Sequence, residues 1–492
     1  MHIAPQEWRP PGQAPHAGLA TTAALSQLAV PAGQPVQELY AALAAGQGDA
    51  ALLDRSKKYI ENGLDAVQHM PSELPDSPHD LLAWMAHTAV LASAKYQAYL
   101  QERKAGGERR YFANRAHALH FLRSVAPTKL VDGAWLYGVL EHWQDPRMAH
   151  LVTTYLEELG DGTASKNHVL LYRRLLAQHG LEPLDGLDDA LYAQGTFQLA
   201  LGQHATDFLP EIIGFNLGYE QLPLHLLITA YELNELGIDP TYFMLHITVD
   251  NAGTGHARRA VDAVFDNLPR LGDSNNFWQR VRQGCKLGDA GLSTVQAIDS
   301  FDIDAEVQAM FMRKAGTGHG AHSDYCRLAG RSINDWLARP EEMPDFLAAL
   351  HTAGWVKRDA PAEECRFWRL LRGESAEMFG VFSPYELQLI HDWLRGKASA
   401  DGQSYDSAAM QPGQRCRSFR AAGRQSANVA NTGQPAPDLP DTDIELLITE
   451  LASAASPMMK KQLLLPALAP AVHWTPAGLF ATRQFAAMAA CA

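Results

Sequence analysis

The sequence predicts an all-α protein, and three observations carry that prediction. From about Val36 onward, apolar residues recur at spacings of three and four; Leu and Ala dominate them; and runs of alternating β-branched residues, the mark of strands, are nearly absent. The first 35 residues are instead rich in Pro, Ala and Gly and read as a flexible N-terminal arm. Helices are then expected near 36–46, 78–103, 109–124, 145–159, 165–178, 205–221, 223–236, 240–268 and 303–314. Punctuation separates them: APT at 126–128, LEPLDG at 181–186 and LGIDP at 236–240. In the last of these, Gly237 suits a left-handed helix terminus and Asp239 can cap a helix whose first residue is Pro240. No internal repeat of fixed period is present.

At 492 residues the chain exceeds the length at which one core stops growing. The expected organisation is a main helical domain at 36–300, an accessory helical region at 301–397, a disordered linker at 398–440 and a short helical tail at 441–492. The linker is expected because SADGQSYDSAAMQPGQ through NTGQPAPDLPDTD is polar, Gly- and Pro-rich and aperiodic, whereas IELLITELASAA beyond it suits one or two short helices. The accessory stretches GRSINDWLARPEEMPDFLAALHTAGWV and SPYELQLIHDWL read as amphipathic helices with aromatic anchors. They are candidates for an active-site cover, a homodimer surface or extra helices on the core.

Composition excludes several function classes. A formal net charge of -14 argues against nucleic-acid partners, which need clustered Lys and Arg. Neither a signal peptide nor a stretch long and apolar enough for a membrane span is seen, so no membrane partner is expected. Five widely spaced cysteines without a C-x-x-C pair suit a reducing compartment, and a cytoplasmic location is expected. H-E-x-x-H, E-x-x-H, the P-loop, the dinucleotide glycine fingerprint and G-x-S-x-G are all missing.

The chemistry must then lie in His, Asp and Glu. HITVDNAGTGH runs from His246 to His256 in what reads as one long helix, although Gly253 and Gly255 each cost such a helix about 1 kcal/mol. His246 and Asp250 are four apart and share a helical face; His256 would sit about 80° away on a regular helix. If the backbone loosens around the glycines, His256 returns to that face. Two other stretches offer partners: Glu158 and His168 in LEELGDGTASKNH, and Glu220 in LPEIIGFNLGYEQLP, with Glu211 as its competitor. Three helices thus offer a carboxylate and imidazole, a carboxylate, and an imidazole, carboxylate and imidazole. Such sets suit iron or manganese. A helical His is ordinarily a satisfied core or surface residue, and His117, His120, His204, His225 and His391 are read so. His319, His322 and Cys326 have metal-compatible spacing, but the Gly and Ser around them suggest an exposed loop.

This ordered pattern resembles the haem-oxygenase-like diiron oxidase and oxygenase family of iron-containing redox enzymes, over roughly residues 80–300. In that family a Glu and a His on the first core helix, a Glu on the second, and H-x-x-x-D followed by a further His on the third hold two irons. Glu158 and His168 match the first pair, Glu220 in YEQLP the second-helix Glu, and His246 and Asp250, after the YF of DPTYFMLH, the third pair. Gly253 stands where the last His usually falls, so His256 takes that role through a looped-out insertion. A further carboxylate, supplied in some members by a neighbouring helix, has Asp132 of VDGAWL as its candidate.

The resemblance implies a haem-oxygenase-like helical bundle with additional C-terminal helices. It also implies two non-haem irons and O2 activation that oxidises a small molecule (an amine, amino acid or fatty acid) by N-oxygenation, desaturation or C-C cleavage. An electron donor and O2 are the further partners it implies. The alternatives are a helical binding protein whose polar residues are structural, and a metal-free or haem-binding member of the same fold.

Overall fold

Side-chain caps and glycine stops set most helix boundaries. The computed structural model of the chain describes residues 35–490 apart from 47, 182–183, 185, 321, 323–324, 373–375 and 397–440. The expected arm, save Pro35, and the expected linker therefore lie outside the described residues. Helix α1 (Val36–Ala44) leads into α2 (Ala50–Val67), capped by Asp49 on the Leu52 amide, and into the long α3 (Leu81–Lys104). The next helix, α4 (Arg115–Ser124), begins later than the expected 109. The preceding residues form a loop whose Arg110, Tyr111 and Phe112 amides all donate to the buried Glu232 carboxylate.

The body of the fold continues with α5 (Ala149–Glu158), α6 (His168–Gln178), α7 (Ala193–Gln203), α8 (Leu209–Tyr219), α9 (Leu224–Glu235), α10 (Thr241–Val249), α11 (His256–Asn267) and α12 (Ser274–Leu287). Gly237 terminates α9 at φ 68°, and Asp239 accepts from the Thr241 amide at 3.0 Å, as the sequence predicts. Three of these helices, α2, α7 and α12, depart from expectation by existing at all. Helix α7 is buried on every side, so it has no polar face to give a period. On α2 and α12 the buried stripe is interrupted by Ser56 and Gly63, and by Gly284 and Lys286.

The expected helix at 240–268 is two helices, α10 and α11, with non-helical backbone between Val249 and His256. Asn251 organises this break: its Oδ1 accepts from the amides of Gly253, Thr254 and Gly255. Gly255 is required there, because a Cβ would lie 2.0 Å from the Val249 carbonyl oxygen.

The accessory region builds its own apolar cluster around α13 (Ile303–Gly318), α14 (Met343–Thr352) and α15 (Pro384–Arg395), and it is anchored on α4 through Ala116. There the Asp392 carboxylate accepts from the Ala116 amide at 2.8 Å. A two-residue antiparallel hairpin pairs Arg327 with Ser332 and Leu328 with Arg331. The tail forms three helices rather than one or two: α16 (Thr442–Ser453), α17 (Pro457–Leu464) and α18 (Pro476–Ala489). It joins the main core through Leu464, Leu468, Ala481 and Phe485.

Two further clusters form the rest of the core. One contains the inner faces of α5, α8 and α11, and the other those of α6, α9 and α10. No helix among the described residues is long and apolar enough to cross a membrane.

Helices α8 and α12 meet backbone to backbone. A Cβ on Gly214 would lie 1.8 Å from the Val281 oxygen, and one on Gly284 2.0 Å from the Glu211 oxygen. Gly214→Ala therefore has to push the helices apart, and denaturant unfolding should show a loss of about 1–3 kcal/mol, the usual cost of overpacking. Wild-type stability in that variant would contradict the close approach.

Candidate metal centre

The elements that carry the polar residues converge on the seam between the two main apolar clusters. Glu158 is the last residue of α5 and His168 the first of α6; Glu220 follows α8; His246 lies on the last turn of α10, with Asp250 just after it; His256 opens α11. Asp132 lies before α5, in the turn leading to Ala134. Helix ends are where backbone direction changes, so the sequence can bring polar groups inward there without threading them through an apolar stripe.

Two groups result: Asp132, His168 and His246, and Glu158, Glu220 and His256, each with its potential ligand atoms within 4.8 Å of one another. Two carboxylates straddle them. Glu158 presents one oxygen to His168 Nδ1 and the other to His256 Nδ1, the latter at 3.2 Å. Asp250 lies 3.4 Å from His246 Nδ1 through one oxygen and 3.3 Å from His256 Nδ1 through the other. Glu220 is 3.0 Å from His256 Nδ1, and Asp132 is 3.2 Å from His246 Nε2. All seven are buried, His246 being the most exposed at 8%.

The structure thus brings together all six residues singled out from sequence, and Asp132 with them. It separates Glu211, which forms a two-point ion pair with Arg280 at 2.6 and 2.7 Å. Among the described residues, His319, His322 and Cys326 belong to no metal-compatible grouping. Of the histidines read as structural, His117 stacks on Phe301, His204 bonds Ser56 and His391 pairs with Asp392.

Electrostatics follow from burial and from close opposite charges. Burial opposes the charge on His256, but Glu220, Asp250, Glu157 and Glu158 outweigh it and raise the imidazole. The same contest, won by Asp132 and Asp250, raises His246 to about 10. Burial also works against Glu158, yet His168 and His256 hold it well below the usual carboxylate range. Glu220 goes the other way: burial, helped by Asp250 and Glu158, raises it to about 8 against the pull of His256. Five buried atoms in the centre have no hydrogen-bond partner: Glu158 Oε2, His168 Nδ1, Glu220 Oε1, His246 Nε2 and Asp250 Oδ1. Four of these atoms stand in ion-pair contact with one another or with Asp132 and His256, and Glu220 Oε1 has no such contact; buried carboxylate and imidazole atoms that face one another without hydrogen bonds are the donor set a divalent cation completes.

Supporting groups missed in the sequence sit one layer out. Glu157, the first acid of LEE, accepts from His256 Nε2 at 2.9 Å and from Arg259 at 2.5 Å, which leaves Nδ1 facing the centre. The Tyr242 hydroxyl donates to Asp132. The acidic pair and the Tyr in TYFMLH were visible, but sequence does not tell which of two adjacent glutamates turns inward. A cavity of about 470 Å³ opens beside the centre, its wall including Phe121, Lys129, Leu222, His225, Leu226 and Phe243.

With this geometry established, comparison with known proteins gives one family. Residues 119–289 match the model of the family described as iron-containing redox enzyme, and this match supports the haem-oxygenase-like resemblance. All seven residues of the centre fall inside the match. No curated protein and no solved structure matches the chain significantly.

Metal uptake must displace the protons on Glu220 and His246. Both pKa values are raised in the metal-free fold, so the stability they contribute is full below their unfolded values and is lost as pH rises, through about 8 for Glu220 and about 10 for His246. Two results should follow: metal-free protein becomes less stable from about pH 4.5, where the Glu220 contribution begins to fall, toward 10, where that of His246 is lost, and Co2+ uptake in weak buffer at pH 7 releases protons to an indicator dye. Proton-neutral uptake would contradict these assignments.

Proposed function

We propose that this chain is a non-haem diiron oxidase or oxygenase, which uses O2 to oxidise a small molecule. The observation that carries the proposal is the pair of buried His and carboxylate groups, bridged by Glu158 and Asp250. In this reading Asp132, His168 and His246 hold one iron, Glu158, Glu220 and His256 the other, and Asp250 lies between them. Charge supports two ions: Asp132, Glu158, Glu220 and Asp250 together carry -4 when ionised, which two ferrous ions balance. Iron bound there supplies one-electron redox steps and O2 activation, chemistry that no side chain of the centre provides.

The chain's own residues then bind, orient and exclude. Glu157 fixes the His256 ring by accepting its Nε2 proton, and Tyr242 fixes Asp132. Burial of the whole set keeps bulk water from the reacting centre. The adjoining cavity is of a size for a small substrate, with Phe121, Leu222, Leu226 and Phe243 against its apolar body and Lys129 and His225 for polar contact. An amine, amino acid or fatty acid is the substrate class that the family resemblance suggests, with electrons from a separate donor.

Protein purified from iron-supplemented culture should carry close to two irons per chain by elemental analysis, and its reduced form should consume O2 with an optical change. The His246→Ala, Glu220→Ala double variant should lose most of that iron while keeping its far-UV circular dichroism. Negligible iron in the wild type, or full iron in the double variant, would overturn the proposal. A Soret band on adding haem, with iron uptake indifferent to loss of Asp250, would favour the haem-binding alternative.

A further inference from the structure

The ten-residue step from Glu158 to His168 links one ligand to the next, so the loop at 159–167 sets their separation. That loop is conformationally demanding: Gly160, Asp161 and Gly162 are consecutively left-handed, at φ 67°, 50° and 74°. The two glycines adopt this conformation freely, but Asp161, a non-glycine, holds it only where its surroundings over-determine it.

Asn167 closes the loop. Its Oδ1 accepts from the Leu170 amide at 2.9 Å and caps α6, while its Nδ2 donates to the Leu159 carbonyl at 3.2 Å and to His473 Nδ1 at 3.1 Å. Because Oδ1 is committed to the cap, the amide can only offer protons to His473, whose Nδ1 must be the bare nitrogen. His473 is 1% exposed. It lies nearly 200 residues beyond the family-matched segment, in the turn before α18.

The rest of the tail grips the same pieces. Arg483 donates to the Gly162 carbonyl. Gly162 lies so close to α18 that a Cβ would sit 2.3 Å from the Leu479 oxygen. On α5, the Tyr155 hydroxyl donates to the Leu468 carbonyl at 2.7 Å; on α6, the Arg173 guanidinium lies 4.0 Å from the Trp474 ring centroid. The tail therefore touches both ligand helices and the loop between them.

We propose that the tail at 441–490 is a clasp for the metal centre, in which Asn167 and His473 are positioning residues that hold Glu158 and His168 at the spacing the metal needs. The inference rests on the reading that Glu158 and His168 bind metal. It assigns a role to a segment that the family match does not cover.

The test is a Co2+ titration of the full chain, followed by visible absorption and calorimetry, with thermal unfolding of the metal-free protein in parallel. His473→Ala should weaken Co2+ binding about 10- to 100-fold, the usual effect of losing a group that orients ligands, and should alter the ligand-field spectrum. His473→Gln, which can again present an acceptor to Asn167, should recover most of the affinity. Asn167→Ser keeps a helix cap, but its shorter side chain with a single oxygen cannot cap α6 and span to His473 together, so it should weaken binding like His473→Ala even where that variant folds poorly. Tyr137→Phe removes another bond to the tail, from the hydroxyl to the Leu465 carbonyl, away from the loop, and should leave the affinity unchanged. Wild-type affinity and spectrum in both His473→Ala and Asn167→Ser would overturn the clasp alone. So would equal weakening by Tyr137→Phe, which would mean general packing rather than positioning. A wild-type chain that takes up no Co2+ would overturn the metal reading and the clasp together.

Discussion

Seven ionisable side chains buried in one seam between apolar clusters are the constraint on which the rest of the structure depends. Isolated buried charges are strongly disfavoured, and even paired ones recover their desolvation cost only when geometry and hydrogen bonding are good. Here four carboxylates interleave with three imidazoles in ion-pair contact, and five of the atoms facing the middle make no hydrogen bond. A sequence selected only for stability would do better with apolar residues in this place. The arrangement makes sense as a receptor for cations, whose charge substitutes for the protons that His246, His256 and Glu220 otherwise hold.

Secondary structure serves that arrangement by ending where the polar side chains converge. Glu158, His168, Glu220, Asp250 and His256 all stand at or beside a helix terminus. The break between α10 and α11 shows why. A continuous helix would point His256 about 80° from His246; the turn organised by Asn251, with Gly255 under the Val249 carbonyl, directs both rings at the same carboxylate, Asp250. The glycines that look like flaws in a helix are what permit two helices to share a centre.

The elements that follow the matched segment divide their contacts. The accessory region packs on α4, whose Phe121 and Ser124 also line the cavity. The tail packs on α5, α6 and their connecting loop. Both therefore bear on parts of the molecule next to the centre while contributing no carboxylate to it.

Local pattern was enough for the all-α class, for most helices and for the six polar residues that converge, because helical period, glycine punctuation and i,i+4 spacing are written along the chain. Helix α7 was hidden because burial on all sides erases the period, and α2 and α12 because small or polar residues interrupt their buried stripes. The choice of Glu220 over Glu211 was open in sequence: both carboxylates flank the same helix, and only tertiary structure supplies Arg280 to claim Glu211. Likewise Asp132, Glu157 and His473 take their places through contacts between residues far apart in the chain. The sequence by itself determined which residues could do the chemistry; the tertiary structure decided which of them meet, because burial and pairing belong to the folded surroundings rather than to any stretch of residues.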